Sequence, residues 1–376
     1  EVNRSRTLYV PYMSVKLKGK SDNESANASM SVRTGRECFR ALTTPEAVTL
    51  VSSAGKVRAS VPAGSKATAD MVQTDEAFWS VFSFRFLSGA GFTRADCDAG
   101  LPRAVLSATI ARQLFGTTDV VGHTVQLNYI DYTVAGVVAD VSMLATAAYA
   151  QIWVPYTAAD AESLSWQDDT MGPMHAVILA HSSADFDAIR KETELLRQKY
   201  NDGLRDVEIF YRGQPDTQLA YLYRRWYAEP DVPGVMLRYG IVIAILLLVP
   251  AVNLSGMTLS RMRRRMAEIG VRKAFGATGG ELIRQVFFEN FVLTLLAGVV
   301  GLALSYAATF LLNDFLFSNS TNAYLSGETA LTPGMLLSPW AFIAAFAFCL
   351  LMNVLSAGIP AWRASRMNIT DAINQR

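Results

Sequence analysis

Three histidines, three cysteines and one lysine-rich turn are the residues from which catalysis could be built, and their spacing argues against each use. His123, His175 and His181 are scattered without the spacing of metal ligands. No G-x-S-x-G elbow presents a nucleophilic serine. Lys18-Gly19-Lys20-Ser21 shares the end of a phosphate-binding loop, but Ser14 stands where the first glycine is required. Without that glycine-rich turn the backbone amides cannot cradle phosphates. The expectation is a non-catalytic chain with no metal site, whose N-terminal part binds or receives force. Cys38 and Cys97 would be permitted to bridge in an oxidising compartment, although two free thiols is the simpler reading. Cys349, inside an apolar run, reads as a small buried hydrophobe.

The chemistry that the sequence does concentrate is cationic. Residues 261–289, RMRRRMAEIGVRKAFGATGGELIRQVFFE, lie between two long uncharged runs. Glu268 and Arg272 are four apart in the favourable helical order. Gly276 stands where a C-capping glycine belongs, with Arg272 and Lys273 in the preceding turn favouring the helix dipole. Thr278-Gly279-Gly280-Glu281 fits a capping box that opens a second helix. A stop-transfer loop would need only the arginines. A capped helix–break–helix element is something a partner protein can grip.

Three elements must hold this segment in place. No charged residue falls between Tyr239 and Ser260, between Asn290 and Asn313, or between Thr329 and Trp362, and each window exceeds the ~20 apolar residues that span a bilayer. We expect membrane helices at 237–260, 290–312 and 338–360. Arg261, Arg263, Arg264, Arg265, Arg272, Lys273 and Arg284 follow the first run, Arg363, Arg366 and Arg376 follow the third, and residues 313–337 carry no Lys or Arg. Basic short loops stay in the cytoplasm. Residues 261–289 and the 361–376 tail are therefore placed inside, the 313–337 loop and everything before Leu237 outside. An outer domain of that size needs a signal to cross, and the chain opens at Glu1 without an apolar h-region. A further span ahead of residue 1, making four, is the expectation. The hydrophobic fraction of 51% suits this split, whereas the net charge of +1 averages over it. Nothing points to nucleic acid, since the basic cluster abuts membrane and lacks interleaved aromatics.

The fold class expected is an α+β extracytoplasmic domain plus all-α transmembrane helices, a multi-pass membrane protein. In residues 1–230, alternation predicts strands near Ala47–Val51, Val57–Val61, Thr124–Leu127, Tyr132–Val138 and Ile152–Pro155. Helices are predicted at Ser107–Leu114 and Phe186–Tyr200, the second with Phe186, Ile189, Leu195 and Leu196 as its apolar stripe and Arg190, Lys191, Glu192 and Glu194 in solvent. Lys18–Ser31 reads as an exposed loop. Phe78, Trp79, Phe82, Phe84 and Phe86 form an aromatic cluster best read as packed core, and a glycine turn follows. A strand then ends in Ser107, which caps a helix closed by Gly116, and a hairpin comes next. Gln218–Tyr227 is helix-compatible, and Pro230, Pro233 and Gly234 interrupt it, giving a stalk, a joint and the first span.

The segment AEIGVRKAFGAT, followed by a span with Ala297, Gly301 and Ser305 on one face, resembles the FtsX/MacB-like family of ABC-transporter permeases. PAWRASRMNITDAI at Pro360–Ile373 is similar to that family's terminal signature, although Met367-Asn368-Ile369-Thr370 replaces its more regular small-residue and Pro pattern. FRFLSGAGFTRAD, AVLSATIARQLFG, VVGHTVQL and YTVAGVVADV resemble its periplasmic core domain. The resemblance implies four membrane helices in the bacterial inner membrane, a large periplasmic domain between the first two, and force transmission instead of a through-channel. It implies a separate ATPase, which holds the ATP and Mg2+, bound to a coupling region at Glu268, Gly270, Arg272, Lys273, Gly276 and Ala277. It further implies a second permease copy or paralogue as dimer partner and a periplasmic adaptor or effector. Ala297, Gly301 and Ser305 suit close helix packing in lipid. Export of a peptide, lipoprotein or drug is one reading; a signalling permease that controls a periplasmic hydrolase or senses antimicrobial peptides is the alternative.

Overall fold

The structure, a computed structural model, describes residues 4–62, 64–143, 145–159, 161–225, 228–249, 260, 271, 275–276, 278–312, 340 and 342–352. Residues up to Val232 form one compact unit, and a second begins at Pro233. The first is the expected α+β domain.

Its centre is a four-stranded antiparallel sheet in the order β14 (Asp216–Thr217), β1 (Thr7–Val10), β12 (Met174–Leu179) and β4 (Ala47–Ser52). Side chains alternate across a strand, and these strands are apolar on both faces. Leu8, Val10, Leu50, Ala176 and Ile178 point into one core with Phe39, Met13 and Ile209. Tyr9, Val51, Val177 and Leu179 point into another. The first core is covered by α1 (Val32–Gly35), its π-helical continuation Arg36–Arg40, and α5 (Phe186–Gly203). A three-stranded sheet, β13 (Val207–Phe210), β2 (Met13–Leu17) and β3 (Ala26–Ala28), lies beside it.

The remaining strands close on themselves. From β10 (Ile130–Val138) the order runs β8 (Arg103–Ser107), β11 (Ile152–Pro155), β6 (Lys66–Thr74), β5 (Gly55–Ser60) and β9 (Thr124–Leu127), and β9 pairs with β10 again. Nine-residue β10 makes this possible: Ile130–Thr133 pair with β9 and Thr133–Val138 with β8, while Gly136–Val138 also take on β7 (Phe86–Gly89) outside the ring. Closure leaves no free edge within the ring. Alternation again sorts the wall, with Leu106, Ile152 and Val154 inside against Ile110 and Leu114 of α4 (Ala108–Phe115). Val105 and Trp153 face outward, into the core shared with the central sheet.

That shared core is built by the predicted aromatic cluster. Trp79 of α2 (Phe78–Val81) meets Phe84 at 5.2 Å, Phe92 at 5.3 Å and Trp153 at 6.2 Å between ring centroids. Gly91 supplies the room: a Cβ there would stand 2.5 Å from Trp79 Cδ1. Across the same seam lies Asp75, at the end of β6. Its carboxylate accepts hydrogen bonds from Thr49 Oγ1 at 2.7 Å, Leu50 N at 3.0 Å and Ala77 N at 3.1 Å. Arg40 Nη1 lies 3.4 Å away, while Arg40 Nη2 donates to Glu76 at 2.7 Å. Burial pushes the Asp75 carboxyl up to about 6, against the pull of Arg40.

Several expectations need correcting. The stripe of α5 is Phe186, Ile189, Thr193, Leu196 and Tyr200; of the expected residues, Leu195 is instead exposed. Glu192 is not a solvent residue, because it accepts from Thr43 N at 2.8 Å and Thr44 N at 3.0 Å. The stretch read as a loop at Lys18–Ser31 contains β3, an edge strand whose exposed side chains hide its alternation. Cys38 and Cys97 are free and buried, whereas Cys349 is exposed rather than buried in the chain.

The second unit contributes α7 (Val232–Val249), whose first turn holds Pro233 and Gly234, and the 33-residue α8 (Gly279–Leu311). Proline fits a first helical turn, where its missing N–H is not needed. The whole of α7, at mean hydropathy 2.3, and Phe291–Thr309 within α8, at 2.1, are long and apolar enough to cross a membrane. A shorter apolar helix, α9, covers Phe342–Met352. The rest of the expected spans, the 313–337 loop and the 361–376 tail fall outside the described residues.

Candidate functional site

Of the expected coupling residues, Gly276 is described; Glu268, Gly270, Arg272, Lys273 and Ala277 lie outside the described residues. Around Gly276 the backbone follows its sequence. Phe275 N donates to Val271 O at 3.2 Å, one helical hydrogen bond. Gly276 then adopts φ +92°, a left-handed conformation that glycine takes without strain. Two residues on, Thr278 N and Oγ1 each donate to Glu281 at 2.9 Å, and Glu281 N returns a bond to Thr278 Oγ1 at 3.4 Å. This is the predicted capping box, and α8 starts from it. The backbone N–H of Thr278 holds the Glu281 carboxyl below the usual carboxylate range. The element can turn the chain sharply and present a fixed surface, with no group arranged for bond-making.

The small-residue face of α8 is open within the chain. Ala297, Gly301 and Ser305 are all exposed, and among the described residues nothing beyond the helix's own backbone lies within 4 Å of where a Gly301 Cβ would be. The close internal approach is one residue over, at Gly298, where a Cβ would stand 3.3 Å from Phe346 of α9. Thr294 is buried on that same side.

Sequence reasoning expected a stalk and a joint after Gln218 but missed the ion pair that fastens the stalk within the first unit. The stalk helix α6 (Gln218–Tyr223) stops four residues short of Tyr227 because Arg224 leaves the helix at ψ 117°. Its guanidinium folds back onto Asp216 as a two-pronged ion pair, Nε to Oδ2 and Nη2 to Oδ1, the latter at 2.8 Å. Both side chains are buried, 1% and 4% exposed. The same guanidinium donates to Ala228 O at 3.0 Å and Arg212 O at 3.1 Å. Tyr221 stacks on Tyr9 of the central sheet at 4.6 Å, and Thr217 caps the helix through Ala220 N. The chain entering α7 is thereby fastened to the body of the domain at both ends of α6. Only Arg224 followed by the Pro/Gly run hinted at this, since an ion pair across the whole of α6 leaves no periodic signal.

No catalytic arrangement competes with these elements among the described residues, where no group of three His, Cys, Asp or Glu side chains is placed to hold a metal. The lysines of the 18–20 turn are already engaged, Lys18 with Leu204 O at 2.5 Å and Lys20 with Glu24 at 3.1 Å. Burial pushes the Cys38 and Cys97 thiols up to about 12, far from a reactive thiolate.

The comparison with known proteins returns two successive matches along the chain. Residues 3–196 match the MacB-like periplasmic core domain, and residues 240–369 match the FtsX-like permease C-terminal. The chain belongs to the FtsX/MacB-type permease family. It is 26% identical over 305 residues to the macrolide export ATP-binding/permease protein MacB of Chromobacterium violaceum, covering 81% of this chain and 43% of that protein. It is 25% identical over 301 residues to the ABC transporter permease YknZ of Bacillus subtilis, covering 80% of this chain and 68% of that protein. Among solved structures, the periplasmic region of MacB from Actinobacillus actinomycetemcomitans is similar with a TM-score of 0.38 and 17% identity, over 54% of this chain and 90% of that one. The chain spans less than half the length of the ATP-binding/permease relatives it matches.

Proposed function

We propose that the chain is the permease subunit of a bacterial inner-membrane ABC transporter, with its outer domain in the periplasm. It hydrolyses nothing itself. A partner ATPase holds ATP and Mg2+, grips the 261–289 connection, and its closure is relayed through the spans to the periplasmic domain. A second permease copy or paralogue completes the assembly, with Ala297, Gly301 and Ser305 as the face for close helix approach. The observation that carries this reading is the succession, along one chain, of a core-domain match and a permease match. The Arg224–Asp216 joint supports the mechanical part, because a relay needs a stiff link where the stalk meets the domain.

The test is to replace Glu268 and Arg272 together by alanine and measure ATPase co-purification and transport. Loss of the ATPase is expected. Unchanged binding and transport would remove the coupling claim.

A further inference from the structure

Four large apolar side chains among the described residues are more than three-quarters exposed: Phe275 at 89%, Leu311 at 85%, Trp340 at 80% and Tyr129 at 78%. Leu311 and Trp340 belong to the apolar runs, where lipid or neighbouring helices cover them. Tyr129 tips the β9–β10 hairpin with its hydroxyl accepting from Arg58 Nη1 at 3.3 Å. Phe275 has neither excuse. It lies ahead of α8, and the apolar window of that helix begins at Phe291. From Gly279 to Phe291 the helix rises about 18 Å at 1.5 Å per residue, so the ring is well outside that window.

The ring is also held. The last helical hydrogen bond before the corner is made by Phe275 itself, to Val271 O. Gly276 reverses the chain at once with φ +92°, and the Thr278–Glu281 box fixes the next helix. A protruding aromatic on a pre-set corner loses little freedom on docking. In sequence Arg272 and Lys273 come just before it, and an aromatic anchor with polar neighbours is the pattern of an interface hot spot.

We propose that Phe275 is the apolar anchor by which the chain docks its ATP-hydrolysing partner, its ring entering a pocket on the ATPase while the neighbouring cations meet an acidic rim. The proposal rests on the permease reading above and assigns the binding energy to a residue outside the coupling set expected from the sequence. The occupant is the ATPase because relatives named ATP-binding/permease proteins are more than twice the length that this chain matches. The cationic surroundings also call for an acidic protein rim.

The experiment uses the full chain in detergent and the ATPase that co-purifies with it. Phe275→Ala is expected to weaken binding at least about 30-fold, equivalent to about 2 kcal/mol, and Phe275→Leu to stay within about threefold of the parent. Because the ring is exposed, thermal melting of the chain should not move in either variant. If Phe275→Ala binds like the parent while the Glu268/Arg272 double replacement does not, the anchor is overturned and the permease reading stands. If the parent chain retains no ATPase, the permease reading itself fails. A solvatochromic dye on Phe275→Cys should shift blue on adding ATPase; a blue shift with anionic vesicles alone would overturn the proposal in favour of lipid.

Discussion

Asp75 and Arg224 both place a charge where water is excluded, with opposite consequences. The Asp75 carboxyl is raised from 3.8 to about 6 by burial, so the folded domain holds a proton that the unfolded chain releases between those values. Its contribution to stability is therefore fully present below pH ~4 and declines as pH rises through about 6, by about 2–3 kcal/mol in all. Chemical denaturation followed by fluorescence of the nearby Trp79 and Trp153 should show this slope, and Asp75→Asn should abolish it. Arg224 is permanently charged and matched. Replacing it by methionine strands the Asp216 carboxylate and should cost about 3–5 kcal/mol, whereas replacing both partners by apolar residues should recover most of that. Unfolding midpoints of the single and double variants decide between a matched pair and an incidental one.

At the scale of elements, the corner at Gly276 depends on small local devices. Thr278→Ala removes the box at the start of α8, which should cost about 1 kcal/mol and speed exchange of the first-turn amides about fivefold. The Glu281 carboxyl is held below its usual range, so the box is present at neutral pH and is lost as pH falls through that lowered value. The box was legible because its chemistry is written in four consecutive residues. The same holds for α4, where Ser107 accepts from Ile110 N and Gly116 closes the helix at φ +79°. Legibility failed where burial is small or one-sided. Strand β6 buries Ala67 and Ala69, residues too small to register as an apolar alternation. In α5 the polar Thr193 takes a core position and Leu195 an exposed one, a reversal that hydrophobicity cannot reveal. The Arg224–Asp216 pair forms eight residues apart, from a strand end across the whole of α6, where no single helical or strand period links the two.

For the whole molecule, the outer unit is suited to moving as one body. A closed ring of strands and a central sheet share the aromatic core at Trp79 and Trp153, and the stalk is locked to that sheet through Tyr221–Tyr9 and Arg224–Asp216. Under the proposed relay, a displacement arriving at Ala228 meets a stalk fastened to the central sheet. The α+β character of the first unit and the apolar helices α7 and α8 were readable from alternation and hydropathy. The closed ring was not readable, because closure depends on β10 pairing with β8 on one edge and with β9, distant along the sheet, on the other. The most direct measurement is hydrogen exchange at residues 216–232 in the full chain reconstituted with its ATPase in nanodiscs, with and without ATP. The account predicts a nucleotide-dependent change in protection at this joint, abolished by Arg224→Met. A change confined to the cytoplasmic connection, with the joint indifferent to nucleotide while the ATPase is bound, would contradict it.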